Sequence, residues 1–449
     1  MSEQAVELKD DGTGLKRVLT LRDLSIYGIA FMTPIAPAYI YGAAQEITGG
    51  TLAMSYAVAM VAMLFTAASY GKMAGAFPVA GSTYSYTQRG LNTKLGFFAG
   101  WGIYLDYVLV PLIVFITGAL YANAAVPEIP YFIWVLIIGV TVTVINCLGV
   151  QIASRANLIL VAVMAAIVVM FVVFCLKYVL TGGAGSEPVS IKPFYNPADS
   201  NFSVIISGAA LACFSFLGFD SITTMSEEAI KPKKDIGRAA IIACLAGGII
   251  FIIQAYVAQL AWPDVTGFET QDTALFEIAQ RVGGTWLSNF YTFAVVLSTL
   301  TAGIAGQSSA ARLMYGMGRD EVLPKKFFTY LHPRFKTPIW NILIMAAVGI
   351  IGSILLDLTL VCELMNFGGL LGFMFVNLSV ISHFFVRRNG RNPWKYLIMP
   401  ALGFLICGYL WINLSSIAYI VGFSWLVIGF VYLAISTKGF RLEPKIYEG

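Results

Sequence analysis

Apolar runs of about 20 residues follow one another along nearly the whole chain, separated by short polar or basic stretches. Twelve can be drawn: 21–47, 51–77, 95–122, 130–149, 154–180, 203–228, 237–262, 284–316, 338–356, 359–383, 394–413 and 417–437. A helix rises ~1.5 Å per residue, so each run can cross the ~30 Å of hydrocarbon in a bilayer. The pattern predicts an all-α polytopic membrane protein with twelve transmembrane helices. Residues 1–20 are polar and mixed in charge. They read as a cytoplasmic tail without a cleavable leader, and the first span serves as the insertion signal.

Two runs contain interruptions. The first holds TPIAPA, residues 33–38, where Pro34 and Pro37 lack N–H groups and free the carbonyls of Ala30 and Thr33. The sixth holds CFSFLGFDSITTMSEE, residues 213–228, with Gly218 followed by Asp220. Loosened backbone is tolerated in a bilayer only where protein or a wet cavity covers it. The first span runs inside to outside and the sixth outside to inside, five spans apart. That arrangement predicts two five-helix inverted repeats, residues 21–180 and 203–383, in a 5+5 inverted-repeat core. Two extra helices at 394–437 and a cytoplasmic tail at 438–449 follow.

Composition agrees with the pattern. Of 449 residues, 58% are hydrophobic and only 12% charged, against ~25% charged in soluble domains. On the twelve-span map, 25 of the 28 Lys and Arg residues fall on the side of the termini; Lys177, Lys192 and Arg281 fall opposite. The positive-inside rule therefore places both termini in the cytoplasm, and topology control explains the basic loops without a nucleic-acid partner. The six cysteines lie in or at the edge of apolar runs with no CxxC spacing, so they read as small core residues rather than zinc ligands or a disulfide framework.

Ionisable groups at membrane depth mark function by default. Asp106 lies about 11 residues into the third span, ~16 Å from its start at 1.5 Å per residue, near the midplane. It is a candidate ammonium partner or a structural hydrogen-bonding group. Asp220 follows the second break and has the same two readings, with a third as a proton carrier. Glu227 and Glu228 read as ion-pairing groups at the cytoplasmic face, Glu363 as an entrance or gating acid, and Glu46 as interfacial. Around the breaks, Tyr39, Tyr41, Phe214, Phe216 and Phe219 offer aromatic faces for an ammonium or for closing over a solute. Trp262 and Trp394 read as interface anchors, and His332 and His383 as solvated or interfacial.

Three segments carry a resemblance: FPVAGSTYSYTQRGLNTKLGFFAGW (77–101), CFSFLGFDSITTMSEE (213–228) and ARLMYGMGRDEVLP (311–324). They resemble motifs of the amino acid–polyamine–organocation (APC) superfamily. YGK after span two, LDY in span three and SFLGFD…SEE in span six are most similar to the putrescine-importer branch. The sequence departs from that branch at Tyr39, where an acid is usual, and at Ala311, where the motif has Ser; span five carries no buried Lys. The resemblance implies gating by Phe214, and gating or coupling rather than direct contact by Asp220.

The expected function is secondary transport: import of a polyamine such as putrescine, or of an amino acid, across the inner cell membrane by alternating access. The alternatives are a neutral amino acid permease or an exchanger, and, from another class, a channel. Thr33, Pro34, Ala36, Tyr39, Asp106, Phe214, Phe216, Gly218 and Asp220 are the expected substrate-binding residues; Asp106, Asp220, Phe214 and Glu363 are the expected coupling or gating residues. A proton is favoured as coupling ion over sodium, for which Ser298, Thr299 and Thr301 could supply hydroxyls. No GxSxG, HExxH or nucleotide fingerprint suggests an enzyme, and neither metal nor cofactor is expected.

Overall fold

The computed structural model describes residues 17–78, 82–149, 154–183, 189–197, 201–226, 228–319, 324–388 and 390–436. Glu227, residues 79–81 of the PVAGS motif, part of the RDEVLP motif, most of the 1–20 tail and the 438–449 tail lie outside the described residues. Among the described residues the chain is helical, and its one β feature is an isolated parallel bridge between Leu19 and Ala229.

The helices are α1 (Leu21–Met32), α2 (Tyr41–Thr48), α3 (Leu52–Ala76), α4 (Ser82–Gly90), α5 (Thr93–Ala125), α6 (Tyr131–Cys147), α7 (Ser154–Leu180) and α8 (Phe202–Ala212). They continue with α9 (Pro232–Ala261), α10 (Ala274–Arg319), α11 (Lys325–Phe328), α12 (Ile339–Leu355), α13 (Leu358–Val380), α14 (Met399–Trp411) and α15 (Ser416–Ser436). Among the described residues, nine helical segments are long and apolar enough to cross a membrane, and ten if the bent pair Leu21–Tyr39 and Tyr41–Thr48 is one span. Helices α6 and α12 are apolar but shorter, at 17 residues each. The chain is a multi-pass membrane protein.

Both interruptions are present. The first span bends by 62°. Its α1 stops at Met32, a short 3₁₀ turn covers Ala36–Tyr39, and α2 resumes at Tyr41. The carbonyls of Ala30 and Thr33 are not left free as proline placement suggests: they accept from the N–H groups of Thr33 (3.3 Å) and Ala36 (3.0 Å). The carbonyl that the turn turns outward is that of Pro34, and it accepts from Gln254 Nε2 of α9 at 2.8 Å. In the sixth span, α8 gives way to a 3₁₀ turn at Cys213–Phe216, and a second 3₁₀ segment, Phe219–Met225, follows Gly218. Gly218 has φ 112°, which L side chains rarely adopt.

Two helices organise the interior. Helix α3 packs on α9 so closely that a Cβ on Gly71 would stand 2.7 Å from the Gly237 Cα. Small residues allow this approach where lipid supplies no hydrophobic drive between helices. Helix α5 touches α10, α13, α12 and α6. Buried polar side chains tie the bundle: Asn146 Nδ2 donates to Gln307 Oε1 (2.8 Å), and Gln307 Nε2 donates to Thr143 Oγ1 (3.1 Å), joining α6 to α10. The last helices are peripheral, held in part by Trp101 and Trp425, which stack at 4.9 Å and exchange two 2.9 Å bonds from each indole N–H to the other's carbonyl.

Several sequence expectations need correction. The stretch 263–283 is not wholly a loop, because α10 begins at Ala274 and kinks at Gly284 (φ 69°). His383 is not solvated: it is 7% exposed and sits between Phe77 and Phe384, each 4.8 Å away by ring centroid. Trp262 is more than an interface anchor, since the Arg281 guanidinium lies 4.6 Å over its ring. All six cysteines are free thiols, five of them buried.

Candidate functional site

The breaks in the two spans open onto one cavity of about 90 Å³, well above the ~10–15 Å³ that admits a water. Of the residues singled out by sequence, Thr33, Ala36, Tyr39, Asp106, Phe214, Gly218 and Asp220 line it. Pro34 does not line it; its carbonyl is held from behind by Gln254. Phe216 turns away, fully buried, to rings of Tyr56 (6.5 Å) and Phe251 (5.4 Å). Glu363 lies elsewhere and accepts a hydrogen bond from Ser415, the residue just ahead of α15.

The local sequence explains these placements. In a 3₁₀ turn, residues two apart point about 240° apart, so Phe214 and Phe216 cannot share a face. Phe214 instead meets Tyr39 across the breaks, with ring centroids 5.6 Å apart. On α5, Ile103, Asp106, Tyr107, Val110, Ile113 and Val114 recur at three- and four-residue steps and form one stripe along the cavity. Pro111 lies within the same helix and leaves the Tyr107 carbonyl without its helical donor.

The two carboxylates differ in surroundings. Asp106 Oδ1 is buried and has no hydrogen-bond partner. Asp220 lines the cavity at the start of the 3₁₀ segment, directly after Gly218. Among the described residues, no Lys, Arg or His lines the cavity, whose wall also includes Phe31 and Tyr107. The site therefore combines two carboxyl groups with aromatic faces.

Sequence reasoning missed Tyr107, Ser221 and Phe31 as lining residues, and Gln254 and Asn366 as braces. Asn366 Nδ2 of α13 donates to the carbonyls of Ala210 (3.0 Å) and Leu211 (3.2 Å), at the end of α8. The signal for Gln254 was its isolation in the apolar run IIFIIQAYVAQ. Of the hydroxyls considered for sodium, Thr299 donates to Val296 O (2.8 Å) and Thr301 to Ser298 O (2.9 Å). Below the cavity, the N–H groups of Val18 and Leu19 donate to Glu228 O (2.9 and 3.0 Å), and the N–H of Ile230 donates to Leu19 O (3.0 Å). The chain ahead of α1 is thereby tied to the chain after the sixth span.

Comparison with known proteins agrees with the site. Residues 23–447 match the model of the amino acid permease family. The chain is 37% identical over 441 residues to the low-affinity putrescine importer PlaP of Escherichia coli, covering 97% of this chain and 96% of that one. It is 27% identical over 462 residues to the branched-chain amino acid permease BcaP of Bacillus subtilis, covering 96% and 95%. It is 25% identical over 392 residues to the cationic amino acid transporter 4 of Mus musculus, covering 82% and 60%. With a family match across nearly its whole length and paired helix breaks around a polar cavity, this chain belongs to the amino acid permease family.

Proposed function

We propose that the protein imports a small organic amine across the inner cell membrane by alternating access, with a diamine such as putrescine as the preferred class. The observation that carries this reading is the cavity at the two breaks, lined among the described residues by two carboxyl groups and no basic side chain. In this reading α6 and α12 also span, giving twelve spans, two five-helix inverted repeats and cytoplasmic termini. Lipid-facing helices and the basic asymmetry of the loops support it.

Asp106 serves as the ammonium partner, because its Oδ1 is the buried carboxylate oxygen left without a donor. Asp220 takes the coupling role. It lines the cavity directly after the Gly218 break, and a second acid in the same cavity as Asp106 favours a diamine over a zwitterion. Tyr39 and Phe214 form the gate above the solute. A proton is the coupling ion in this scheme.

Uptake into proteoliposomes tests the reading. Labelled putrescine and a branched-chain amino acid are each offered with a proton gradient, a sodium gradient, or neither. Putrescine accumulation driven by the proton gradient is expected; failure of both solutes to accumulate or exchange would sink the substrate class. Amino acid uptake without putrescine uptake would turn the assignment to the neutral permease alternative. Asp106→Asn should raise KM for putrescine about tenfold or more, since loss of one charge-assisted bond costs roughly 1.5–3 kcal/mol. Asp220→Asn should abolish accumulation against a gradient while leaving binding largely intact.

A further inference from the structure

A second charged constellation lies away from the cavity, where the end of α3 meets two π-helical turns, Ile381–Arg387 and Trp394–Ile398. Lys72, in the last turns of α3, has a buried Nζ with no hydrogen-bond partner. Its electrostatic neighbour is another cation, Lys395. Lys395 Nζ lies 5.3 Å over the Tyr396 ring, and Tyr396 stacks on Phe384 at 5.0 Å. Phe384 adjoins His383, whose buried Nε2 also lacks a partner. His383 meets Phe77, which carries Arg89 on its other side at 5.4 Å. Arg387 completes the group and donates to the carbonyls of Arg89 and Leu91.

Four cations thus gather on an aromatic floor, and among the described residues none has a carboxylate partner. A buried ammonium without a partner is costly, and a like charge beside it adds repulsion. An anion between Lys72 and Lys395 would relieve both. Helix α14 is peripheral, and Trp394, at the start of the π-helical turn that leads into it, is 59% exposed, a side chain suited to headgroup depth. π-helical turns are frequent at functional sites. We propose that this cluster binds a phosphate-bearing anion between Lys72 and Lys395, supplied by an anionic lipid of the cytoplasmic leaflet. The proposal rests on the inward orientation of this face and is independent of the transported solute.

The test is lipid retention by the purified full-length chain, taken from equimolar phosphatidylglycerol–phosphatidylcholine vesicles and read by native mass spectrometry. Selective retention of phosphatidylglycerol is expected. Lys395→Gln should weaken it about fivefold, and Lys72→Gln with Lys395→Gln about 25-fold, at the usual contribution of one cation per step. Lys326→Gln, on α11, should leave it unchanged. Lys395 is exposed, so its variant reports even if the change at Lys72 unfolds the protein. Equal retention of the two lipids by the parent chain, or unchanged retention in both variants, overturns the proposal. Displacement of the lipid by millimolar inorganic phosphate would support the phosphate site and overturn the lipid as its source.

Discussion

The first and sixth spans reach the same cavity with different chemistry. The first is interrupted by covalent means: two prolines remove donors, and Thr33 is held at φ 50°. Its buried Pro34 carbonyl is braced by one distant side chain, Gln254. The sixth is interrupted by conformational freedom at Gly218, and its inner half is braced by its own hydroxyls. Ser221 donates to Gly218 O (2.5 Å), Thr223 to Asp220 O (2.6 Å), Thr224 to Ser221 O (2.6 Å) and Ser226 to Thr223 O (2.5 Å). A proline-made bend cannot be undone by exchanging partners, whereas hydroxyl bonds three residues back can be. The comparison predicts that the first break acts as a fixed wall and that the sixth is the element that changes shape.

The strongest way to break this contrast is Gly218→Ala. A Cβ there would stand 2.3 Å from Phe31 Cδ1 on a backbone that disfavours one. Strain of roughly 1–3 kcal/mol, before the clash is counted, predicts more than tenfold loss of uptake by a correctly inserted protein. Near-normal uptake would remove the glycine from the mechanism. Next is Gln254→Leu, which strands the Pro34 carbonyl in a dry interior. A loss of about 1–3 kcal/mol is expected, read as a lower thermal midpoint in detergent. No shift would mean that another group takes the carbonyl over. Thr33→Gly should be milder and opposite in sign. Relief of a β-branched residue at positive φ stabilises by up to about 1 kcal/mol, while uptake falls as the wall loosens. The smallest effect is expected from Ser226→Ala, about 0.5–1 kcal/mol. Hydrogen exchange gives a direct comparison: amides of 219–226 should exchange faster than those of 35–40, and the reverse order would assign the moving part to the first span.

Much of this was legible in the sequence because membrane helices announce themselves twice, by length and by the scarcity of charge. The breaks were legible for the same reason: Pro34, Pro37 and Gly218 are the residues that disrupt a helix wherever they stand. Asp106 could be placed by counting along a regular α5, and its cavity stripe then follows from the helical period. Phe216 could not be placed, since its direction depends on a 3₁₀ turn that changes the period locally. Glu363 was illegible for another reason: Ser415, which donates to it, is 52 residues away, in the connection between α14 and α15. His383 is buried by Phe77 from a remote span, a contact that composition does not reveal.

The bridge between Leu19 and Ala229 has a mechanical consequence. It fastens the lead-in to one half-span to the lead-out of another, so these two ends share a single hinge point. A load applied to the chain ahead of Val18, such as a fused domain or a grasping protein, would be transmitted to both rods together rather than to one.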